Sequence, residues 1–143
     1  MSAFNFKTIV IKGDGIRKEG MLAETSNDIT PGQFVLRQGH NFSEVRHAAA
    51  QSLFKAVAVE QETFGTGITE DYDTEGERVF YHVVPPGTEV FAILNAGESA
   101  SVGDLLRVAV GGNLEVNVTN AICVAMEDVD ATAEATRILV ETL

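Results

Sequence analysis

Cysteine, histidine, positive charge and long apolar runs are all scarce in this chain of 143 residues, and each scarcity excludes something. The one cysteine, Cys123, rules out an internal disulfide and any multi-cysteine zinc site. No apolar run approaches the roughly 20 residues of a membrane-spanning helix, so no membrane partner is expected. Met1-Ser2-Ala3-Phe4-Asn5-Phe6-Lys7 has no apolar core ahead of its lysine, so no secretory signal is read. The triplets Asn41-Phe42-Ser43 and Asn117-Val118-Thr119 are then chance matches to the glycosylation pattern. Lysine and arginine number 10 against 21 aspartates and glutamates, a net charge of −11, which argues against nucleic acid as a partner.

What is present describes one ordinary domain. Apolar residues make up 45% of the chain and charged ones 22%, near the average for globular proteins, and the length suffices for one core without staples. The charge is split. Residues 1–55 carry seven basic and five acidic side chains, whereas residues 56–143 carry three basic and sixteen acidic. That asymmetry points to an acidic body with a differently charged end.

Short apolar segments of period two, separated by glycine turns, dominate the pattern. The β-branched run Lys7-Thr8-Ile9-Val10-Ile11-Lys12 stops at Gly13-Asp14-Gly15, where glycine enters positive φ freely. Further strands are expected at Phe34–Arg37, Val79–Val84, Glu89–Leu94, Leu105–Val110, Leu114–Val118, Ile122–Glu127 and Arg137–Glu141. Residues 43–60 read both ways. Ser43 is a candidate helix cap before the alanine run, whereas Ala56-Val57-Ala58-Val59-Glu60 alternates as a strand does, so at most a short helical turn is expected at Ala48–Leu53. The expected fold is all-β: a compact barrel or sandwich-like domain over 8–143, preceded by an extended arm at 1–7.

Two halves of the sequence echo each other. Pro31-Gly32-Gln33-Phe34-Val35 aligns with Val102-Gly103-Asp104-Leu105-Leu106, and Ala56-Val57-Ala58-Val59-Glu60 aligns with Cys123-Val124-Ala125-Met126-Glu127. Gly39-His40-Asn41 falls where Gly111-Gly112-Asn113 falls. Each copy reads as turn, strand, glycine hairpin, strand, and a final strand ending in glutamate. Pro31-Gly32 suits the centre of a type II turn, and Pro85-Pro86-Gly87 joins two strands at an edge or corner. Two echoes are too few for a solenoid and fit two halves of one barrel.

Catalytic signatures are not found. None of His40, His47 and His82 stands at ligand spacing to another histidine or to Cys123, and Cys123 lies in an apolar strand where a thiol is inert. Gly13-Asp14-Gly15-Ile16-Arg17-Lys18 has neither the dinucleotide spacing nor a terminal Gly-Lys-Ser/Thr. Asp71-Tyr72-Asp73-Thr74-Glu75-Gly76-Glu77 imitates the start of a calcium loop, but the twelfth position is His82 instead of glutamate, and a solvated acidic loop is the better account. No metal, cofactor or catalytic residue is therefore expected. Phe4 and Phe6 stand out on the polar arm beside Lys7, and something must cover them: the chain's own core, a neighbouring copy or another protein.

Taken in order, Gly13-Asp14-Gly15-Ile16-Arg17-Lys18-Glu19-Gly20, Ile29-Thr30-Pro31-Gly32-Gln33-Phe34-Val35, Pro86-Gly87-Thr88-Glu89-Val90-Phe91-Ala92-Ile93-Leu94 and Val102-Gly103-Asp104-Leu105-Leu106 resemble the head decoration (capsid cement) proteins of tailed double-stranded DNA bacteriophages. The similarity runs from about residue 8 to the end of the chain. It implies a β-rich structural protein on the outer face of the virion, bound to the major capsid protein and self-assembled, commonly as a trimer. It implies a mechanical role, bridging capsid subunits against the pressure of packaged DNA, and no enzyme activity. The shell-gripping role of the N-terminal arm in such proteins carries onto Phe4, Phe6 and Lys7.

Two other readings are kept beside it. Ala96-Gly97-Glu98-Ser99-Ala100-Ser101-Val102-Gly103-Asp104 echoes the turn phrasing of lipoyl and biotinyl carrier domains, a small-molecule or carrier-type module, but no lysine follows Lys55 to carry the group. A hydrolase using Asp71, Asp73 and His82 with a metal is the third.

Overall fold

The computed structural model describes residues 2, 4, 6–23, 28–38, 44–61 and 67–143. Thirteen strands follow in order: β1 (Val10–Lys12), β2 (Ile16–Leu22), β3 (Val35–Gln38), β4 (Glu44–His47), β5 (Ala56–Ala58), β6 (Arg78–Val83), β7 (Glu89–Leu94), β8 (Glu98–Ala100), β9 (Leu105–Val108), β10 (Leu114–Val116), β11 (Cys123–Ala125), β12 (Val129–Ala131) and β13 (Thr136–Thr142). The fold is all-β, with no helix among the described residues.

The strands make two rings of the same design. In one, β9, β10, β7, β13 and β11 hydrogen-bond in sequence, and β11 returns to β9 to close it. In the other, β3, β4, β2, β6 and β5 follow the same order, and an antiparallel bridge between Phe34 and Val57 closes it. Each ring has one parallel joint in the same place. β2 meets β4 at Leu22 and Val45, and β7 meets β10 at Leu94 and Leu114. Leu105 pairs with Val124 in one ring as Phe34 pairs with Val57 in the other. Beside the rings, the two-stranded ribbon of β8 and β12 has its counterpart in the bridge between Ile29 and Tyr72.

The echoes therefore mark two rings and not two halves of one. Each echo supplies three strands, and each ring needs two more. Those extra strands, β2 with β6 and β7 with β13, have diverged in sequence. β2 reads Ile-Arg-Lys-Glu-Gly-Met-Leu with its first four residues exposed, so it lacks the apolar alternation that reveals a strand. The short strands β4, β8 and β12 carry equally little signal.

Four strand ends are held by one device. Leu22 closes β2, Ala58 closes β5, Ala125 closes β11 and Thr142 closes β13. At each, the N–H donates to the carbonyl after a turn glycine while the carbonyl accepts from that glycine's N–H. Gly76 and Glu77 serve Leu22, Gly32 and Gln33 serve Ala58, Gly103 and Asp104 serve Ala125, and Gly87 and Thr88 serve Thr142, all at 2.7–3.2 Å. Three of the turns carry the same side-chain lock. Thr30, Thr74 and Ser101 donate their N–H groups to the side-chain oxygens of Gln33, Glu77 and Asp104.

Tertiary bonding overrides helix propensity at Ala48–Leu53. Ala48 N–H donates to Phe34 and Gln51 N–H to Val108, so the donors of a helix are spent on neighbouring strands. What forms is one tight turn, closed by Ser52 N–H on Ala49, with Gln51 at φ 63°. Ser43, the candidate helix cap, and Gly39-His40-Asn41 lie outside the described residues.

Two cores sit side by side. The smaller gathers Leu22, Val35, Val45, Ala56, Ala58 and Tyr81, whereas the larger gathers Leu94, Leu106, Leu114, Ile122, Ile138 and Val140 with Phe34, Val57 and Val59. β5 is the shared wall, since Ala56 and Ala58 face one core while Val57 faces the other.

Gly32 has a φ of 101°, and a Cβ there would overlap the Arg137 guanidinium and lie 2.9 Å from the Phe91 carbonyl oxygen. Gly87 has a φ of 86° but open space around it. Urea unfolding should therefore show Gly32→Ala destabilised by about 3 kcal/mol or more, and Gly87→Ala by only the ~1 kcal/mol of left-handed strain. Equal costs would remove the steric part of this account.

Candidate functional site

The N-terminal stretch is tied to both rings through two glutamates, Glu60 and Glu127, each two residues beyond the end of its strand, β5 or β11. Both carboxylates are buried. Glu60 accepts from the Thr8 hydroxyl and, at 3.1 Å, from the Ile9 N–H. Glu127 accepts from the Ser2 hydroxyl at 2.6 Å and from the Leu139 N–H at 2.8 Å. Each glutamate thus takes one backbone donor and one hydroxyl, from Ser2 of the arm at Glu127 and from Thr8, the first residue beyond the arm, at Glu60. Charge-assisted bonds of this kind are the stronger class, and buried carboxylates require them.

Between those anchors the two aromatic residues turn onto the chain itself. Phe4 and Phe6 stack with centroids 5.1 Å apart, and Phe6 meets Phe91 of β7 edge-on at 5.3 Å. Of the three covers open to them, Phe6 takes the chain's own surface. Phe4 stays 42% exposed and Lys7 is exposed. Ser2, Phe4 and Phe6 line one side of a groove of about 410 Å³ whose other side is Phe91 with residues 133–137.

Arg137 underlies this groove. Its guanidinium donates to the carbonyls of Pro31 at 2.6 Å, Ile68 at 2.7 Å and Phe91 at 3.3 Å, joining a turn of the first ring to β7 of the second. Burial lowers its pKa to about 10, which leaves it charged at neutral pH. Sequence reading missed Arg137; its rarity, as one of three basic residues after position 55, was the available signal.

The residues weighed for chemistry lie apart. Cys123 is fully buried in β11, and desolvation pushes its thiol up to about 12, so it stays protonated and inert. In the acidic loop, Glu77 accepts from the N–H groups of Asp73 and Thr74, and buried Tyr72 donates its hydroxyl to the Val59 carbonyl at 2.6 Å. The loop's polar groups therefore hold a turn. Among the described residues, no three histidine, cysteine, aspartate or glutamate side chains converge as a metal site. His40 lies outside the described residues.

The other histidines are on strands. His47 on β4 shares its Nε2 between the Asp28 carbonyl at 3.0 Å and Gln33 Oε1 at 2.9 Å. Gln33 continues to Asn113 and Asn113 to Asn95, an amide chain linking the rings. His82 on β6 lies beside Arg17 and Glu60, with its Nδ1 buried. Burial lowers the pKa of both imidazoles; Arg17 adds to this at His82, while Glu60 opposes it.

These depressed values set a sign. The folded state favours the neutral imidazoles, so their contribution is fully present above about pH 6.5, the unfolded value, and falls as the pH drops through the lower folded values. Urea midpoints measured between about pH 7 and pH 5 should decline for the native protein and decline less for His47→Gln/His82→Gln. A double variant with an unchanged pH slope would show that the histidines are not its source.

No family model and no curated protein matches the chain. Among solved structures it is similar to the head fiber gp8.5 N base in bacteriophage phi29, with a TM-score of 0.60 at 15% sequence identity, covering 90% of this chain and 93% of that one. At that identity the likeness shows a common fold.

Proposed function

We propose that this chain is a structural protein of a tailed-bacteriophage head, a decoration that binds the outer capsid surface and bridges capsid subunits to stabilise the expanded shell. The observation that carries the reading is the fold shared with a phage head fiber base over nine-tenths of the chain. The turn-and-strand phrases that resemble capsid cement proteins support it independently. So does the form of the molecule, in which polar and charged groups near the grooves are spent on holding turns and arm. The role is mechanical, and no enzyme activity is assigned.

In this reading Phe4 and Lys7 present the arm to the major capsid protein, while Phe6 keeps it seated on Phe91. The chain acts as a homo-oligomer, a trimer by resemblance, on the outside of the virion. Weak contacts repeated over a symmetric lattice then give tight attachment through multivalency. The acidic body suits an address outside the shell, away from packaged DNA.

Purified protein mixed with expanded, undecorated heads of the phage that encodes it should occupy fixed lattice sites and raise the rupture temperature of the heads. Phe4→Ala/Lys7→Ala should raise the dissociation constant for the heads about tenfold, the equivalent of ~1.4 kcal/mol, with folding intact. Folded protein that leaves such heads bare would overturn the proposal.

A further inference from the structure

Away from the arm, three loops meet at one end of the molecule: residues 48–55 between β4 and β5, 109–113 between β9 and β10, and 117–122 between β10 and β11. Hydrogen bonds join them. Gln51 N–H donates to the Val108 carbonyl at 2.8 Å, and the Asn120 amide donates to Gln51 Oε1 at 3.1 Å.

Three features set this end apart. It exposes large apolar side chains, with Val110 at 82%, Val118 at 76% and Leu53 at 62%, beside Phe54. Its three loops contain no aspartate or glutamate, although the chain holds 21, and their one charged side chain is the cation Lys55. Glu115, which flanks them on β10, is held by Arg107 at 2.7 Å. Finally, Gln51 and Asn120, at φ 63° and 57°, are the non-glycine residues in left-handed backbone among those described, and they bond each other here. Such conformations persist where surrounding structure enforces them and gather at functional surfaces.

We infer that this end is the surface through which a second copy of the chain docks. An apolar centre depleted of charge with a rim of amides and hydroxyls is the anatomy of a protein interface. The charge pattern selects the occupant. A basic partner would be met best by the carboxylates that residues 56–143 carry elsewhere. A partner that is itself strongly acidic approaches readily where carboxylates are missing and a lysine is present, because like charges in contact cost several kcal/mol. A second copy, at −11, is that partner. The inference rests on the self-association in the proposed function and not on its shell.

Sedimentation of the full chain up to about 100 μM tests it. The native protein should associate, and Val110→Asp/Val118→Asp should raise the dissociation constant at least tenfold with unchanged circular dichroism. Leu53→Ser should weaken association in the same direction. Val102→Asp, equally exposed but outside the three loops, should associate as the native protein does. A native protein that stays monomeric, or a Val110→Asp/Val118→Asp protein that associates normally, would overturn the inference. Binding of heads by that same variant is a separate measurement, so loss of self-association and loss of the shell reading are told apart.

Discussion

The reciprocal pair of hydrogen bonds between a strand's last residue and a glycine turn is the interaction on which the rest of this structure depends. Strands such as β5 and β11 have three residues each, too few to hold a sheet by ladder bonds alone. At Leu22, Ala58, Ala125 and Thr142 the final N–H and C=O are both taken by a turn from elsewhere in the chain. Each clasp therefore satisfies groups that would fray and also fixes where the next strand must lie. The glycine is required because its position in the turn demands positive φ.

From the clasps follow the rings, and from the rings the shared wall. With Ala58 pinned by Gly32 and Gln33, β5 is held so that Val57 enters the larger core while its neighbours enter the smaller. The same turn carries Pro31, whose carbonyl receives the Arg137 guanidinium, so the clasp and the joint between the rings share residues. Directly beyond each echoed strand stands a buried glutamate, and the arm is laid between those two carboxylates. Ser2 and Thr8 are thus each tied to one ring, and Phe4 and Lys7 between them are exposed.

Much of this was legible in the sequence, and the illegible parts have physical reasons. The Pro31-Gly32 and Val102-Gly103 phrases and the terminal Glu60 and Glu127 mark equivalent places, because turn chemistry and buried carboxylates tolerate few alternatives. The strand β7 was readable to the residue, since the apolar run Val90–Leu94 is bounded by the turn glycines Gly87 and Gly97. β2 was not, because Arg17, Lys18 and Glu19 face solvent. The alanine run, left open between helical turn and strand, forms a single tight turn because its backbone donors are claimed by Phe34 and Val108, a contact local propensity does not contain. Of the candidate site, the arm residues were visible as misplaced aromatics, whereas Arg137 and the end formed by Val110, Val118 and Leu53 become visible only when distant loops are brought together.

A double ring with its N-terminal stretch tied to both rings, and with a carboxylate-free apolar end elsewhere, suits the mechanical role proposed for it. The clasps are the part of this account open to the most direct test. Native-state hydrogen exchange followed by NMR should find the amides of Leu22, Ala58, Ala125 and Thr142 exchanging only through global unfolding, as slowly as the centre of β7. Exchange of those four amides at the rates of exposed loops, while β7 stays protected, would contradict it.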